Sequence, residues 1–260
     1  MPYGALELNL WLANITLTGA AFAAAFAKRQ GGHLNTLLVC LGWYFSYSAG
    51  AYALYNHVRP FYYGLASWIG AAILNLLFLI LIYSFWRTGF ASYRGLHRLF
   101  VILAAVTLTG CFVVIAYTAN TGTNGPIRHD QWLNQWFLLC VRSLRFAQSV
   151  MLLLFLAIVA GFSIRASRTL LRLAAALLAA NLLRLIPESW IIYLGRPGGV
   201  TVNAVQLATV LLLLLAWNAT ILAYPAGEPL SLAPVWAGID HRGFESKLEN
   251  INRGLQRILW

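Results

Sequence analysis

Carboxylates are scarce in this chain, 7 Asp+Glu against 18 Lys+Arg, and charged residues of both signs make up only 10% of it. An ordinary soluble domain carries about 25% charged residues, so a soluble fold is excluded. Cysteine is limited to Cys40, Cys111 and Cys140, each alone in an apolar run. That spacing excludes a CxxC pair or a metal-binding cysteine set and leaves all three as small core residues. Lysine is reduced to Lys28 and Lys247, neither inside an apolar run, so the Schiff base of a retinal protein has no intramembrane amine. Histidines are few and badly placed for haem: His57, His97, His129 and His241 fall at span ends or in loops and His33 in a turn, whereas a bis-His site needs inward-facing histidines within spans. No GxSxG, HExxH or GxxxxGK[ST] string occurs, so no catalytic residue, cofactor or metal ligand is assigned and an enzyme is unsupported.

What is present is apolar. Hydrophobic residues reach 60% and the mean hydropathy is +0.71 over 260 residues, enough for about seven membrane-spanning helices of roughly 20 to 25 residues with short loops. The reading is an all-α polytopic bundle with spans at 6–27, 35–57, 62–87, 97–119, 132–162, 169–194 and 201–224, in one membrane domain over 1–225 followed by a tail over 226–260. Turn chemistry separates the spans at Gly31-Gly32, Pro60, Thr88-Gly89, the 120–126 run, Gly195 to Gly199, and Pro225 with Gly227. The first ten residues lack the basic segment of a signal peptide and Lys28-Arg29 follow the first apolar run, so that run reads as a retained span.

The cations sit in the loops, which makes them a topology signal and not a nucleic-acid surface. Lys28, Arg29, Arg87, Arg94, Arg98, Arg165, Arg168, Arg172, Arg242, Lys247, Arg253 and Arg257 fall on one side, and Arg59, Arg128 and Arg196 on the other. Twelve against three places the N-terminus outside and the C-terminus in the cytoplasm of a multi-pass inner-membrane protein. Trp11, Tyr55, Tyr62, Tyr63, Trp132, Trp136, Trp190 and Tyr193 gather at the outer ends as interfacial belts. Small residues at near-helical spacing, Gly19, Ala23 and Ala27 in the first span and Ala175, Ala176, Ala179 and Ala180 in the sixth, imply close helix packing. Pro187 is the one proline well inside a span and is expected to kink it.

Residues that are costly in a bilayer carry the functional reading. At about 1.5 Å per residue, Arg184 lies roughly 18 Å beyond Arg172 and Arg145 roughly 30 Å before Arg165, which puts both in the outer half. Glu188, one turn beyond Arg184, is the acid expected to pair with it or with Arg142 or Arg145. Asn14, Tyr52, Tyr55, Gln148, Asn203 and Gln206 fall at similar depth, and the set as a whole could line an outward polar cavity for a small anionic ligand. The bland alternative is that Arg142 and Arg145 snorkel while Arg184 and Glu188 close a structural ion pair. In the tail, Phe244, Leu248, Ile251, Leu255 and Ile258 form a helical stripe flanked by Lys247, Arg253 and Arg257. Two heptads are too short for a free coiled coil, so a membrane-surface helix is expected.

The fifth span, with Arg142-Ser143-Leu144-Arg145, Gln148 and the apolar run from Leu152 to Leu156, resembles an uncharacterised family of seven-helix membrane proteins frequent in acidobacterial genomes. Tyr62-Tyr63 to Trp68, Tyr83-Ser84-Phe85-Trp86-Arg87 and the seventh span near Trp217 are similar to the same pattern. Val141 and Ser84 stand where that pattern carries acids. The resemblance implies a seven-helix fold and no activity. Together these features lead to the expectation of a non-enzymatic membrane protein, an accessory subunit or a sensor with a protein partner or a second copy of itself. The competing expectation is a small-solute carrier.

Overall fold

The computed structural model describes residues 4–28, 34–55, 57–90, 94–121, 129–161, 167–194, 199–223, 249–250 and 253. They form seven helices: α1 Ala5–Ala27, α2 Asn35–Leu54, α3 Pro60–Gly89, α4 Arg94–Thr121, α5 His129–Gly161, α6 Arg168–Leu194 and α7 Gly199–Ala223. There is no strand among the described residues. Six of the helices, all but α4, are long and apolar enough to cross a membrane. In α4 the apolar stretch found among the described residues runs only over Arg98–Gly110, although the helix itself has 28 residues, about 42 Å at the α-helical rise. The chain is a helical bundle of membrane-span character, and its exposed apolar side chains are the surface that meets lipid.

Local sequence explains the helix ends. Pro60 begins α3, where its missing N–H costs nothing and its fixed φ suits a first turn. The second helix stops at Leu54, three residues before the expected His57, because the chain tightens into a turn in which His57 N and Val58 N both donate to Leu54 O. At the far end of α1, the Lys28 ammonium donates to Ile221 O at 3.0 Å and Leu222 O at 2.6 Å. It thereby satisfies carbonyls that the end of α7 leaves open and places a cation at the negative pole of that helix.

The hydrogen bonds between helices fix their directions. Trp11 Nε1 donates to Ser48 Oγ at 2.9 Å, while Cys40 Sγ, Trp43 Nε1 and Tyr47 OH donate to Leu77 O, Gly70 O and Ser67 O, so α1, α2 and α3 alternate. The last helix runs parallel to the first: Asn14 Nδ2 donates to Leu207 O at 3.0 Å, Asn218 Nδ2 to Leu17 O at 3.0 Å, and Lys28 caps the end. In sequence of packing, α1, α2, α3, α5, α6 and α7 close a ring through the α7–α1 seam, and α4 packs on its flank, chiefly against α5. We call the end where α1, α3, α5 and α7 begin the amino end and the opposite one the carboxyl end.

Burial departs from the sequence reading in three places. The tight stripe of α1 is Thr18, Ala21 and Ala25, all fully buried, whereas Ala23 and Ala27 are exposed, and in α6 Ala174 and Ala180 are buried while Ala175 and Ala179 face outward. A run of small residues conceals which of its members faces the neighbour. Cys40 is buried, but Cys140 is exposed and is not a core residue. Trp11 is buried between the rings of Tyr52 and Tyr55, at centroid distances of 5.3 and 6.2 Å, so it packs helices and does not serve as a belt.

The carboxyl end is sealed by rings. Trp86 is fully buried and lies 5.0 Å from Phe90, 5.1 Å from Phe100 and 6.0 Å from Phe155 between centroids, which ties α3, α4 and α5 together. Its Nε1 donates to Met151 O at 3.2 Å, giving the one polar atom of the indole a partner. Glycine is required at Gly89, where a Cβ would stand 2.7 Å from Phe155 Cε2. On the other side of the ring, Trp217 meets Phe78 edge to face at 6.3 Å and donates to Leu173 O at 3.2 Å.

Candidate functional site

Three amides set the register of the polar layer. Gln148, fully buried on α5, donates from Nε2 to Asn75 O of α3 at 2.9 Å and accepts at Oε1 from Asn181 Nδ2 of α6 at 3.1 Å. Asn75 completes the set by donating to Ala71 O at 2.8 Å within its own helix. Buried amides in an apolar bundle are costly unless paired, and here each amide group takes part in a bond that either joins two helices or closes a turn.

Because α5 and α6 are antiparallel, pairs of positions at one level have a constant sum of residue numbers. Arg145 is one turn nearer the amino end than Gln148, and Arg184 one turn nearer than Asn181, so the two arginines occupy the next level. Their guanidinium charges act on one another, and that of Arg184 also acts on the phenol of Tyr44. Tyr44 belongs to α2, which does not pack against α6. Arg145 and Arg184 are half-buried as residues, but Nη1 of Arg145 and Nε of Arg184 are shielded from solvent, and Arg184 Nε has no hydrogen-bond partner among the described residues. One level toward the carboxyl end, Leu152 and Leu177 are both fully buried. The α5–α6 seam therefore passes from apolar to neutral amide to cation within three turns.

A second polar group lies on α1. Glu7 is 1% exposed, accepts from Gly4 N through Oε2 at 2.9 Å, and leaves Oε1 shielded without a partner among the described residues. Asn14, two turns on and also 1% exposed, donates to Leu207 O while its Oδ1 has no partner among the described residues. Tyr52 and Tyr55 stand beside Trp11 between these two levels, and Tyr55 also meets Tyr63 at 5.7 Å.

Parts of the expected set fall in two neighbourhoods of polar contact. Arg145, Gln148 and Arg184 come together with Asn75, Asn181 and Tyr44, while Asn14, Tyr52 and Tyr55 join Glu7, Trp11 and Ser48. Arg142 is half-buried on α5, Gln206 is half-buried on α7 and Asn203 is exposed there. The Glu188 side chain lies outside the described residues, as do the side chains of Trp132, Trp136, Trp190 and Tyr193 and most of the tail stripe. Asn75, Asn181, Tyr44 and Glu7 were missed from the sequence. The two asparagines carried a readable signal, an amide inside an otherwise apolar run, and Glu7 fell within the first span as an acid.

Chemically the α5–α6 layer offers guanidinium charge and amide and phenol hydrogen-bonding groups, and among the described residues it contains no carboxylate. The described residues likewise hold no cluster of three or more metal-ligating side chains. Comparison with family models, with curated proteins and with solved structures found no match.

Proposed function

We propose that this chain is a non-enzymatic multi-pass protein of the inner (cytoplasmic) membrane that senses a solute at its amino end, outside the cell, and passes the result to a partner chain. The contrast between the two ends of the bundle carries this reading. Polar layers occupy the amino half, and the ring cluster around Trp86 with the Leu152–Leu177 level closes the carboxyl half. A sensor needs access from one side alone, whereas a carrier needs a hydrated path that opens alternately to both. Among the described cations Lys28, Arg87, Arg98, Arg168 and Arg172 belong to the carboxyl end and Arg59 to the amino end, which favours an outside N-terminus. The flank helix α4 presents Val106, Phe112 and Val113 outward, a surface for lipid, a partner or a second copy.

A carrier is the second reading, favoured by Pro187. That residue is buried inside α6, one turn from Arg184, where proline removes a backbone donor as in the broken helices of transporters.

Thiol labelling with an impermeant reagent decides between them, in a chain whose native cysteines are replaced. Asn203→Cys should be modified from outside and Arg172→Cys only from the cytoplasm. Gln148→Cys should never be modified from the Arg172 side. Modification from that side under any solute condition establishes the carrier, and reversed labelling of Asn203→Cys and Arg172→Cys reverses the orientation.

A further inference from the structure

The buried stripe of α1 that meets α2 and α7 carries acceptors with nothing to accept from. Glu7, Trp11, Asn14 and Thr18 recur at spacings of four, three and four, and all are buried. The side-chain donors of this stripe are spent: Trp11 Nε1 on Ser48 Oγ of α2 at 2.9 Å, Asn14 Nδ2 on Leu207 O of α7 at 3.0 Å, and Thr18 Oγ1 on Asn14 O at 2.6 Å within the helix. What remains is oxygen. Glu7 and Asn14 are each 1% exposed, and Glu7 Oε1 and Asn14 Oδ1 make no hydrogen bond among the described residues. The other oxygen of Glu7 is fixed, since Oε2 accepts from Gly4 N at 2.9 Å and closes the first turn as a capping box. The positive pole of a helix favours negative charge at that place, and a carboxylate withdrawn from water has to be matched by charge and by donors. The buried arginines do not supply them: they lie on α5 and α6, whereas α1 packs against α2 and α7.

Rings stand at the same level. Trp11 faces Ser48 across the antiparallel α1–α2 pair, so Tyr52, one turn from Ser48 toward the amino end, faces Glu7, one turn from Trp11 in the same direction. The Trp11 ring meets Tyr52 edge to face at 5.3 Å and Tyr55 at 6.2 Å, and Tyr55 meets Tyr63 of α3 at 5.7 Å. Aromatic rings attract a cation through their faces. We propose that Glu7, with Trp11 and Tyr52 beside it, binds the ammonium group of a small primary amine. An ammonium offers three N–H donors and no acceptor, the complement of a shielded carboxylate oxygen without a donor. One metal ion does not fit the same oxygens, because Glu7 and Asn14 are two turns apart, about 10.5 Å along the helix, and the described residues hold no cluster of three or more metal-ligating side chains. The inference rests on reading the amino end as the ligand-facing end of a sensor, and it names the chemistry of the solute.

The ammonium can belong to a soluble amine or to the headgroup of phosphatidylethanolamine, and the test separates the two. The full chain is placed in nanodiscs of phosphatidylcholine, whose headgroup has no N–H, and its thermal midpoint is followed while ethylammonium chloride replaces sodium chloride at constant ionic strength. Tetramethylammonium, of equal charge and without N–H groups, is the matched control. A parallel set of discs contains phosphatidylethanolamine and no added amine. The wild-type midpoint is expected to rise saturably with ethylammonium or with phosphatidylethanolamine, by linkage of binding to stability, and the responding arm identifies the source. Glu7→Gln keeps an oxygen for the Gly4 N–H but loses the charge, and should weaken the apparent affinity at least tenfold. Glu249→Gln, which removes an acid from the tail, should leave it unchanged.

Should Glu7→Gln fail to fold, the wild-type chain still answers through equilibrium binding of radiolabelled ethylammonium. One equivalent per chain in phosphatidylcholine discs is expected, displaced by unlabelled ethylammonium and at least tenfold less effectively by tetramethylammonium, and its exclusion from phosphatidylethanolamine discs assigns the site to the lipid headgroup. An absence of saturable response in both disc compositions, an equal response to tetramethylammonium, or an equal midpoint rise in wild type and Glu7→Gln overturns the proposal. The sidedness of Gln148→Cys labelling is read separately. Ammonium binding combined with labelling from the carboxyl side keeps the site and overturns the sensor, and no ammonium binding with labelling from the amino side alone keeps the sensor and overturns the site.

Discussion

The two ends of this bundle solve the same problem, holding helices together in a solvent as apolar as their own side chains, by different means. At the carboxyl end, Trp86, Phe90, Phe100 and Phe155 interlock around Gly89, and the one polar side-chain atom among them, Trp86 Nε1, has a partner in Met151 O. At the amino end the contacts are amides, guanidiniums, phenols and one acid, and Glu7 Oε1, Asn14 Oδ1 and Arg184 Nε are shielded with no partner among the described residues. Dispersion between close-packed rings stabilises without leaving anything unmet. A polar layer does so only when every member is satisfied. The ring cluster is therefore the firmer part of the fold, and the amino end is where shielded polar atoms without a partner among the described residues gather.

Removing the central ring should produce the largest loss. Trp86→Ala empties a site with no solvent exposure and breaks the bond to Met151 O, for an expected cost of about 3–5 kcal/mol. Reversible unfolding in mixed micelles, followed by the remaining tryptophans, measures it. A loss below about 1 kcal/mol would mean that the carboxyl end is loosely packed, and the contrast between the ends would fail.

The amide floor should come next. Gln148→Leu leaves the Asn181 amide short of a partner within the bundle, a penalty of about 1–3 kcal/mol. Changing Asn181→Leu as well should recover part of it, since two apolar neighbours replace a broken pair. A double-mutant cycle is expected to give a coupling between about 0.6 kcal/mol, the average for hydrogen bonds between membrane helices, and about 1.7 kcal/mol, the largest. Zero coupling would show that the two amides reach water separately.

How much of this was legible beforehand differs between the same two regions. Helix positions followed from apolar runs and breakers: the expected 97–119 and 201–224 spans lie within or against Arg94–Thr121 and Gly199–Ala223, because length and turn chemistry are local properties. Which face of each helix turns inward was not local. Ala21 and Ala25 pack while Ala23 does not, and an alanine-rich run carries no periodic mark to say so. At the site, Arg145, Arg184 and Gln148 stood out by their cost in a membrane. Their partners Asn75, Asn181 and Tyr44 are 33 to 73 residues away for Gln148 and further in sequence for Tyr44 and Arg184, and pairing over such distances depends on the packing order of the ring.

The seam between the first and last helices should respond more weakly. Lys28→Met removes the ammonium that caps Ile221 and Leu222, with an expected loss of about 0.3–1 kcal/mol, the usual contribution of a cation at a helix C-terminus. Unfolding of this variant should be less cooperative at the α1–α7 seam than elsewhere, as read by hydrogen exchange of the α7 amides. An effect as large as that of Trp86→Ala would move the mechanical centre of the bundle to the ring closure.

The smallest effect is expected in the tail, where Arg253 Nη2 meets Glu249 Oε2 at 3.5 Å with the two side chains 64% and 66% exposed. This is the same i to i+4 spacing that separates Arg184 from Glu188, in a different medium. In water both charges keep their hydration, salt screens them, and holding two long side chains together costs conformational entropy, so exposed pairs contribute little. Inside a bundle the same charges lose their hydration and must be matched. Glu249→Gln is therefore expected to leave the unfolding midpoint of the full chain unchanged at both low and high salt, while Glu188→Gln lowers it. A salt-dependent loss in Glu249→Gln would show that the tail docks on the bundle through charge. A neutral Glu188→Gln would show that no buried guanidinium depends on this carboxylate for its charge balance.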